Sequence, residues 1–164
     1  MVGTSDLDEL FAASYQRLVV QLYALCGDVS DAEDAVQEAF VTAIRKRKEL
    51  THVANPEAWL RAVALNRIRS GWRHTSVVRK YQAAVPGPQA PIEIGPEHVA
   101  IMTALAQLND SQRQVVVLHH LADLGTAEIA HELGIPEGTV KSRLARARSL
   151  LAELLDVSEE RRHV

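Results

Sequence analysis

The sequence has little of what would place it outside the cytoplasm or build a metal site. Its 164 residues include a single cysteine, only 4% aromatic residues and no apolar run as long as a membrane span. One cysteine cannot form an internal disulfide, and no Cys/His cluster has the spacing of a zinc site. Cys26 lies in an apolar run and is predicted to be a small core residue. The N-terminal MVGTSDLDEL is acidic, unlike a signal peptide, so we expect a cytoplasmic protein without membrane insertion.

Charge is distributed unevenly along the chain, although the net charge is only −3. Residues 1–44 carry eight acidic residues and one basic residue, whereas residues 45–80 carry ten basic residues and two acidic ones. Residues 81–164 are net acidic, yet the four charged residues from 141 to 148 are all basic. Because local charge sets the field that a phosphate backbone meets, a nucleic-acid partner is compatible with the acidic total.

Helical periodicity dominates the sequence, and no segment combines alternating hydrophobicity with hairpin signals. The predicted fold class is therefore all-α. The helix signals are, in order, a stop near Gly27, a capping box of Ser30 and Glu33 that starts a helix through about Lys48, and an Asn55 cap with Pro56 at the first helical position. The apolar stripe of the second helix is expected to include Phe40, Ala43 and Ile44. Later helices are predicted near 98–108, 111–122, 126–133 and 136–155.

Four of the six prolines fall between residues 75 and 97, together with two glycines. Proline at this density favours an extended, semi-rigid connector over a helix. The sequence therefore predicts two small helical domains, residues 1–74 and 98–156, joined by a Pro-rich linker over 75–97 and followed by a polar tail over 157–164.

The stretch IAHELGIPEGTVKSRLARARSLL, residues 129–151, predicts a helix-turn-helix. Ala130 is small where the two helices approach, Gly134 allows a turn, and Val140 can lock the second helix onto the first. The second helix of this motif lies in the major groove, where Lys and Arg bond guanine acceptors or phosphates and Ser142 can donate to either. A solvated basic face on a helical hairpin is the alternative interpretation of the same residues.

The basic block over residues 45–80 indicates a second, less specific nucleic-acid surface. Arg61, Arg67, Arg69 and Arg73 continue a positive charge down the third helix. His52, Val53 and Asn55 lie in the preceding loop and are candidate contacts to an exposed base. Trp59 and Trp72 are more typical of a core than of base-stacking platforms.

Enzymatic interpretations have little support. Glu128 and His131 have the spacing of a metal-ligand pair, but the further carboxylates of a di-metal helical bundle are missing. His119 and His120 leave a helix about 100° apart and so do not converge on one ion. No phosphate-binding glycine loop and no GxSxG motif is present. We expect no catalytic activity, no metal and no cofactor.

Three stretches together resemble a bacterial extracytoplasmic-function (ECF) sigma factor of the sigma-70 family, with regions 2 and 4 only. They are GDVSDAEDAVQEAFVTAIRK, NPEAWLRAVALNRIRSGWR and LNDSQRQVVVLHHLADLGTAEIAHELGIPEGTVKSRLARARSLL, which cover most of the chain outside the linker and tail. Such a factor binds core RNA polymerase, through the β′ clamp helices and the β flap, and directs promoter-specific initiation. The resemblance also implies a regulatory anti-sigma factor.

The resemblance assigns roles to individual residues. It implies polymerase binding by Asp34, Gln37 and Glu38. It implies contacts to the minus-10 promoter element by His52, Asn55, Arg61, Asn66, Arg69 and Arg73. It implies contacts to the minus-35 element by Thr139, Lys141, Ser142, Arg143, Ala145 and Arg146. The chain has Leu65 where relatives often have Arg and Ser70 where they often have an acid, which affects the expected promoter sequence rather than the family.

Two rival functions stay open at the level of sequence. The first is a transcriptional regulator whose helix-turn-helix is like the output domain of response regulators, which would require a ligand or phospho-acceptor domain at the N-terminus. The helical, tryptophan-containing residues 1–73 are typical instead of a polymerase-binding domain. The second rival, a metal-dependent helical enzyme, is remote for the reasons given above.

Overall fold

The computed structural model describes the backbone of residues 4–82 and 96–162, and the side chains of residues 6–70, 96 and 98–157. The described residues form helices and no strand, as the all-α prediction requires. The helices are α1 (Thr4–Cys26), α2 (Val29–Arg45), α3 (Arg47–Leu50), α4 (Pro56–Gln82), α5 (Pro96–Gln107), α6 (Asp110–His120), α7 (Thr126–Leu133) and α8 (Glu137–Arg162). None of these described helices is both long and apolar enough to cross a membrane. The chain divides into two compact units, Met1–Ala90 and Pro91–Val164.

Two helices are longer than the sequence pattern predicted. Helix α4 continues to Gln82, so residues 75–82 are helical where the linker was expected to begin. The segment TSVVRKYQ contains neither proline nor glycine, and a helix propagates readily through such residues once it has started. Helix α8 continues to Arg162, so the predicted polar tail is helical over most of its length. The prolines at 86, 88 and 91 lie outside the described residues, whereas Pro96 is the first residue of α5, a favourable position for proline.

The break between α1 and α2 is made by Gly27 and Asp28. Gly27 adopts φ +76°, a left-handed conformation that glycine reaches without steric cost. Asp28 is extended, and its side chain accepts a hydrogen bond from the backbone N–H of Asp31 at 2.9 Å. Asp28 is therefore the N-cap of α2, and the predicted capping box of Ser30 and Glu33 is wrong, because Ser30 already lies inside the first turn.

Cys26 ends α1 and is half-buried. Its thiol lies 3.2 Å from the carbonyl oxygen of Asp28, and burial raises the pKa of the Cys26 thiol to about 11. A thiol with a raised pKa is poorly nucleophilic at neutral pH, which agrees with a packing role rather than a reactive one.

The start of α4 follows the prediction. The backbone N–H of Ala58 donates to Asn55 Oδ1 at 3.1 Å, and Pro56 is the first helical residue. The predicted second helix, in contrast, is broken at Lys46 into α2 and the single turn α3. Leu50, at the end of α3, is buried and anchors that turn to the unit.

The core of the first unit lies between α1, α2 and α4, which pack against one another. Its fully enclosed apolar side chains come from all three helices and include Leu18, Leu22, Val36, Ala39, Leu60 and Ala64. Each buried leucine contributes about 1.5–3 kcal/mol relative to an exposed one. The predicted inward stripe of α2 is correct for Phe40 and Ala43 but wrong for Ile44, which is 56% exposed, because it is rotated about 100° around the helix from the buried Ala43.

The core of the second unit lies between α5, α6, α7 and α8, and α8 packs against each of the other three helices. The four consecutive residues Val115 to Leu118 are all buried, so α6 is enclosed on most of its circumference. Helix α6 begins with a reciprocal capping box, in which Asn109 accepts from the Gln112 backbone and the Gln112 side chain accepts from the Asn109 backbone. From α7 and α8 come Ile129, Val140, Leu144 and Ala147, all buried. One side of α8 is thus packed against an aliphatic core.

Candidate nucleic-acid interface

The turn between α7 and α8 is a tight one, as the sequence predicted. Gly134 adopts φ +65° and its backbone N–H donates to the last carbonyls of α7, which ends the helix without a side-chain cap. The N–H of Ile135 donates to the Ala130 carbonyl at 3.1 Å, and α8 begins two residues later at Glu137. Ile129 and Val140 are both fully buried and hold the two helices together. Helices α7 and α8 therefore form the expected helix-turn-helix.

The predicted minus-35 residues divide by helical phase. Val140, Leu144 and Ala147 face the core, and the residues one position on from them face away. The exposed members of the predicted set are Lys141, Ser142, Ala145 and Arg146, while Thr139 and Arg143 are half-buried at the edge of the contact with the core. The structure thus brings four of the six residues onto one accessible, basic face.

The first turn of α8 carries a small hydrogen-bonded cluster. Thr126 Oγ1, at the start of α7, donates to Glu137 Oε1 at 2.8 Å, and Lys141 Nζ lies 3.5 Å from the same oxygen. The hydrogen bond from Thr126, followed by the charge of Lys141, lowers the pKa of the Glu137 carboxyl below its ordinary value. Ser142 Oγ donates to the Thr139 carbonyl at 3.1 Å, which orients its hydroxyl along the helix.

Glu137 was not among the residues predicted from the sequence for the exposed face of α8. The signal was available in the spacing, since a carboxylate at i and a lysine at i+4 are neighbours on a helix. The contact from Thr126, eleven residues earlier, could be seen only after the turn between α7 and α8 was known.

The described histidines and acids near the helix-turn-helix are engaged in local contacts. His119 Nδ1 lies 2.8 Å from the Leu124 carbonyl oxygen, and the rings of His119 and His120 meet edge-on at 4.8 Å. Burial lowers the pKa of His120, and His119 and Arg148 lower it further. Glu128 accepts from the Gly125 backbone N–H at 2.8 Å as part of the α7 cap. Over the described side chains, no group of three potential metal ligands occurs.

Four of the six predicted minus-10 residues, His52, Asn55, Asn66 and Arg69, are exposed in the loop before α4 or on that helix. His52 and Asn55 are exposed in the loop, although the Asn55 side chain also caps α4. Asn66 and Arg69 are exposed and lie three residues apart on the same helical face. The side chain of Arg73 lies outside the described residues.

The predicted contact of Arg61 to the minus-10 element is wrong, because Arg61 is buried. Its side chain is only 2% exposed, and Nη1 donates to Gln21 Oε1 in α1 at 3.2 Å. Arg61 shares the inward stripe of α4 with Ala64, Leu65 and Ile68, which are also buried. The prediction counted the sign of the charge, whereas the i, i+3, i+4, i+7 phase of its apolar neighbours decides where the side chain lies. Arg61 is a buried polar residue of the first unit and is removed from the nucleic-acid surface.

The predicted polymerase-binding residues Asp34, Gln37 and Glu38 lie together on the exposed face of α2. They are spaced at i, i+3 and i+4, which places them on adjacent turns. Glu38 accepts a hydrogen bond from Arg67 Nε of α4, and Gln37 Nε2 lies 3.4 Å from the Tyr15 hydroxyl oxygen. The acidic surface of α2 is therefore joined to the basic surface of α4 by an ion pair that the sequence did not predict.

Exposed apolar side chains extend this α2 face toward its C-terminal end. Val41 and Ile44 are 45% and 56% exposed, and Phe11 of α1 packs edge-on against Phe40 with ring centroids 4.9 Å apart. A surface that combines carboxylates, an amide and apolar side chains has the mixed character of a protein-binding interface.

Comparison with known proteins gives this arrangement its family. Residues 10–77 match the family model for sigma-70 region 2, and residues 98–151 match the model for sigma-70 region 4. The ECF RNA polymerase sigma factor SigL of Mycobacterium tuberculosis is 38% identical over 144 residues, covering 82% of this chain and 81% of that protein. SigM of the same species is 32% identical over 152 residues, covering 90% of this chain and 76% of that protein.

A solved structure shows the same fold. The sigma factor RpoE, in complex with the anti-sigma factor NepR from Bartonella quintana, matches 94% of this chain and 99% of its own, with a TM-score of 0.76 and 26% sequence identity. Three findings agree on one family: the two family models match in the right order, the relatives match most of the chain, and the fold is shared. The chain belongs to the ECF RNA polymerase sigma factors of the sigma-70 family.

Proposed function

We propose that this sigma factor binds core RNA polymerase in the cytoplasm, reads a minus-10 and a minus-35 promoter element, and carries out no chemistry of its own. The observation that carries the proposal is the pairing of an exposed basic helix-turn-helix face with an exposed acidic and amide face on α2 in one chain matched by both sigma regions. Such a subunit needs no cofactor, because its work is binding and positioning. A regulator of the response-regulator type is disfavoured, since residues 10–77 match sigma-70 region 2.

For the minus-35 element, the exposed face of α8 is proposed to enter the major groove. Arg146 and Lys141 supply guanidinium and ammonium donors for guanine or phosphate oxygens. Ser142 and Ala145 lie between them and allow close approach of the helix to the base edges. Thr139 and Arg143, which are half-buried, are proposed as edge contacts to the phosphate backbone.

For the minus-10 element, His52, Asn55, Asn66 and Arg69 are proposed to hold an opened strand, and Arg73 is proposed as a further contact from the sequence resemblance alone. Exposed amide and imidazole groups can bond an unstacked base, and the arginines neutralise its phosphates. Arg61 has no part in this surface, because it is buried against Gln21.

For polymerase, Asp34, Gln37 and Glu38 are proposed to dock on the β′ clamp helices, and the second unit is proposed to contact the β flap. The ion pair with Arg67 supports the assignment of Glu38, because it holds the carboxylate in an exposed position on α2. RpoE, whose fold the chain shares, was solved with an anti-sigma factor, and we propose that a regulator of this class covers the same docking faces here.

The deciding experiment adds the purified chain to core RNA polymerase and sequences the transcripts made from genomic DNA. New start sites that share two upstream motifs at a fixed spacing are the expected result. If the chain neither associates with the polymerase nor creates start sites, the proposal fails.

Two variants separate the roles of the two units in the same assay. Arg146→Ala is expected to reduce initiation that depends on the minus-35 element while leaving association with polymerase unchanged. Glu38→Lys is expected to weaken association itself, whereas Glu9→Lys, an equal charge change at an exposed position of α1, serves as the matched control. Normal association of the Glu38 variant would remove α2 from the docking surface.

A further inference from the structure

One acidic side chain interrupts the basic face of the helix-turn-helix. Glu137 is the first residue of α8, and the next four charged residues of the helix are all basic. Its side chain is 45% exposed, so it is accessible to a partner while part of its surface is in contact with the protein.

Contacts from both helices of the motif hold this carboxylate in place. Thr126 Oγ1 of α7 donates to Glu137 Oε1 at 2.8 Å, and Lys141 Nζ of α8 lies 3.5 Å from the same atom. The free N–H groups at the start of α8 also favour a negative charge at this end of the helix. The pKa of Glu137 is lowered by the same neighbours, so the group is ionised at neutral pH and can only accept hydrogen bonds.

The position and the charge together restrict what Glu137 can meet on DNA. In a helix-turn-helix the N-terminal residues of the second helix lie closest to the base edges of the major groove. Cytosine N4 and adenine N6 present amino donors there, whereas guanine O6 and N7 and thymine O4 are acceptors that a carboxylate repels. Lys141, one turn further along α8, has the opposite preference.

We infer that Glu137 is a specificity-determining residue, which accepts a hydrogen bond from the amino group of a cytosine or adenine at one position of the minus-35 element. Thr126 is a positioning residue for it, because its hydroxyl fixes the carboxylate from the neighbouring helix. The inference rests on the proposed function of the second unit as a minus-35 reader, and it adds the class of base that one position accepts.

The test uses the full chain with core polymerase and a promoter library. The upstream element of a promoter used by the wild-type chain is randomised, each template is barcoded, and initiation from each is counted by sequencing. The wild-type chain is expected to favour cytosine or adenine over guanine and thymine at one position by at least about fivefold. The library reports directly which of the two bases is preferred.

Glu137→Ala is expected to abolish this preference, so that all four bases are used about equally at that position, while the preferences at other positions persist. Glu153→Ala removes a carboxylate from the same helix about 24 Å away along its axis and is the matched control. Thr126→Val is expected to weaken the preference at that one position, and Thr126→Ser, which retains the hydroxyl, is expected to preserve it.

The outcomes distinguish this inference from the function on which it rests. A wild-type chain with no base preference in the upstream element would overturn both. Preferences elsewhere that persist, together with an unchanged profile for Glu137→Ala, would overturn the inference alone. An equal loss of initiation from every template would assign Glu137 to the structure of α8 and not to reading.

Discussion

The two units build their candidate surfaces in different ways. In the second unit the surface comes from one contiguous stretch, and the contact that shapes it joins Thr126 to Glu137 over eleven residues. In the first unit the surface combines α2, α4 and the loop between α3 and α4. Its ion pairs join Glu38 to Arg67, 29 positions apart, and Arg17 to Glu57, 40 positions apart. A contiguous surface can be interpreted from spacing, whereas a surface assembled from distant segments depends on how the helices pack.

The interiors of the two units also differ, in the polarity of their buried side chains. Among the described residues, the buried polar side chains are Ser14, Gln21 and Arg61, all in the first unit, whereas the buried side chains of the second unit are apolar. A buried polar group requires partners with defined geometry, and an aliphatic core requires only volume and shape. The second unit is therefore expected to tolerate conservative aliphatic exchange, and the first to be sensitive at specific hydrogen bonds.

The largest effect is expected in the aliphatic core of the second unit. Ile129→Ala removes a fully buried side chain between α7 and α8 and should lower the free energy of unfolding by about 2–5 kcal/mol. Chemical denaturation measures the change, with Leu121→Ala, at a position 41% exposed, as the control. A loss below about 1 kcal/mol would show that the motif repacks around the cavity.

The polar core of the first unit gives the next effect. Arg61→Met leaves the Gln21 amide oxygen without this donor and should cost about 1–3 kcal/mol of unfolding free energy. The double variant Arg61→Met with Gln21→Met should recover part of that loss, because both polar groups are then replaced by apolar ones. Arg69→Ala, at an exposed position of the same helix, should change stability by less than about 0.5 kcal/mol. Equal costs for the two arginines would contradict the burial of Arg61.

The start of α2 tests a local feature that the sequence misplaced. Asp28→Ala removes the N-cap hydrogen bond to Asp31 and should destabilise by about 1 kcal/mol. Ser30→Ala, at the predicted but unused cap, should have almost no effect on the same thermal or chemical unfolding transition. The reverse order of the two effects would restore the capping box that the sequence suggested.

The smallest effect concerns the ion pair between α2 and α4. Arg67→Ala should reduce stability by about 0.2–1 kcal/mol at low salt, because both side chains are about half exposed and the pair is screened by solvent. The difference from wild type should shrink in 1 M salt, where the Debye length is about 3 Å. If the effect is the same at both salt concentrations, packing of the arginine stem and not charge is its cause.

Local signals predicted well wherever a few adjacent residues decide the structure. The Asn55 cap, the turn at Gly134 and the buried Val140 each depend on neighbours within a turn or two, and all three are present as predicted. The same kind of reasoning failed at Arg61, where the sign of the charge was given more weight than the helical phase. It also failed at the ends of α4 and α8, since the absence of a stop signal was not used to extend them.

By itself the sequence determined the helical class, the turn of the helix-turn-helix, the cap of α4 and the family. The first three follow from short-range steric and hydrogen-bonding rules that act within a few residues. The family followed from the resemblance of three stretches of the chain to ECF sigma factors. Only the tertiary structure decided that Arg61 faces Gln21, that Glu38 pairs with Arg67, that Ile44 is exposed and that Thr126 holds Glu137. The physical reason is that a helix fixes the angles between its own side chains, whereas the face that becomes buried depends on which other helix packs against it.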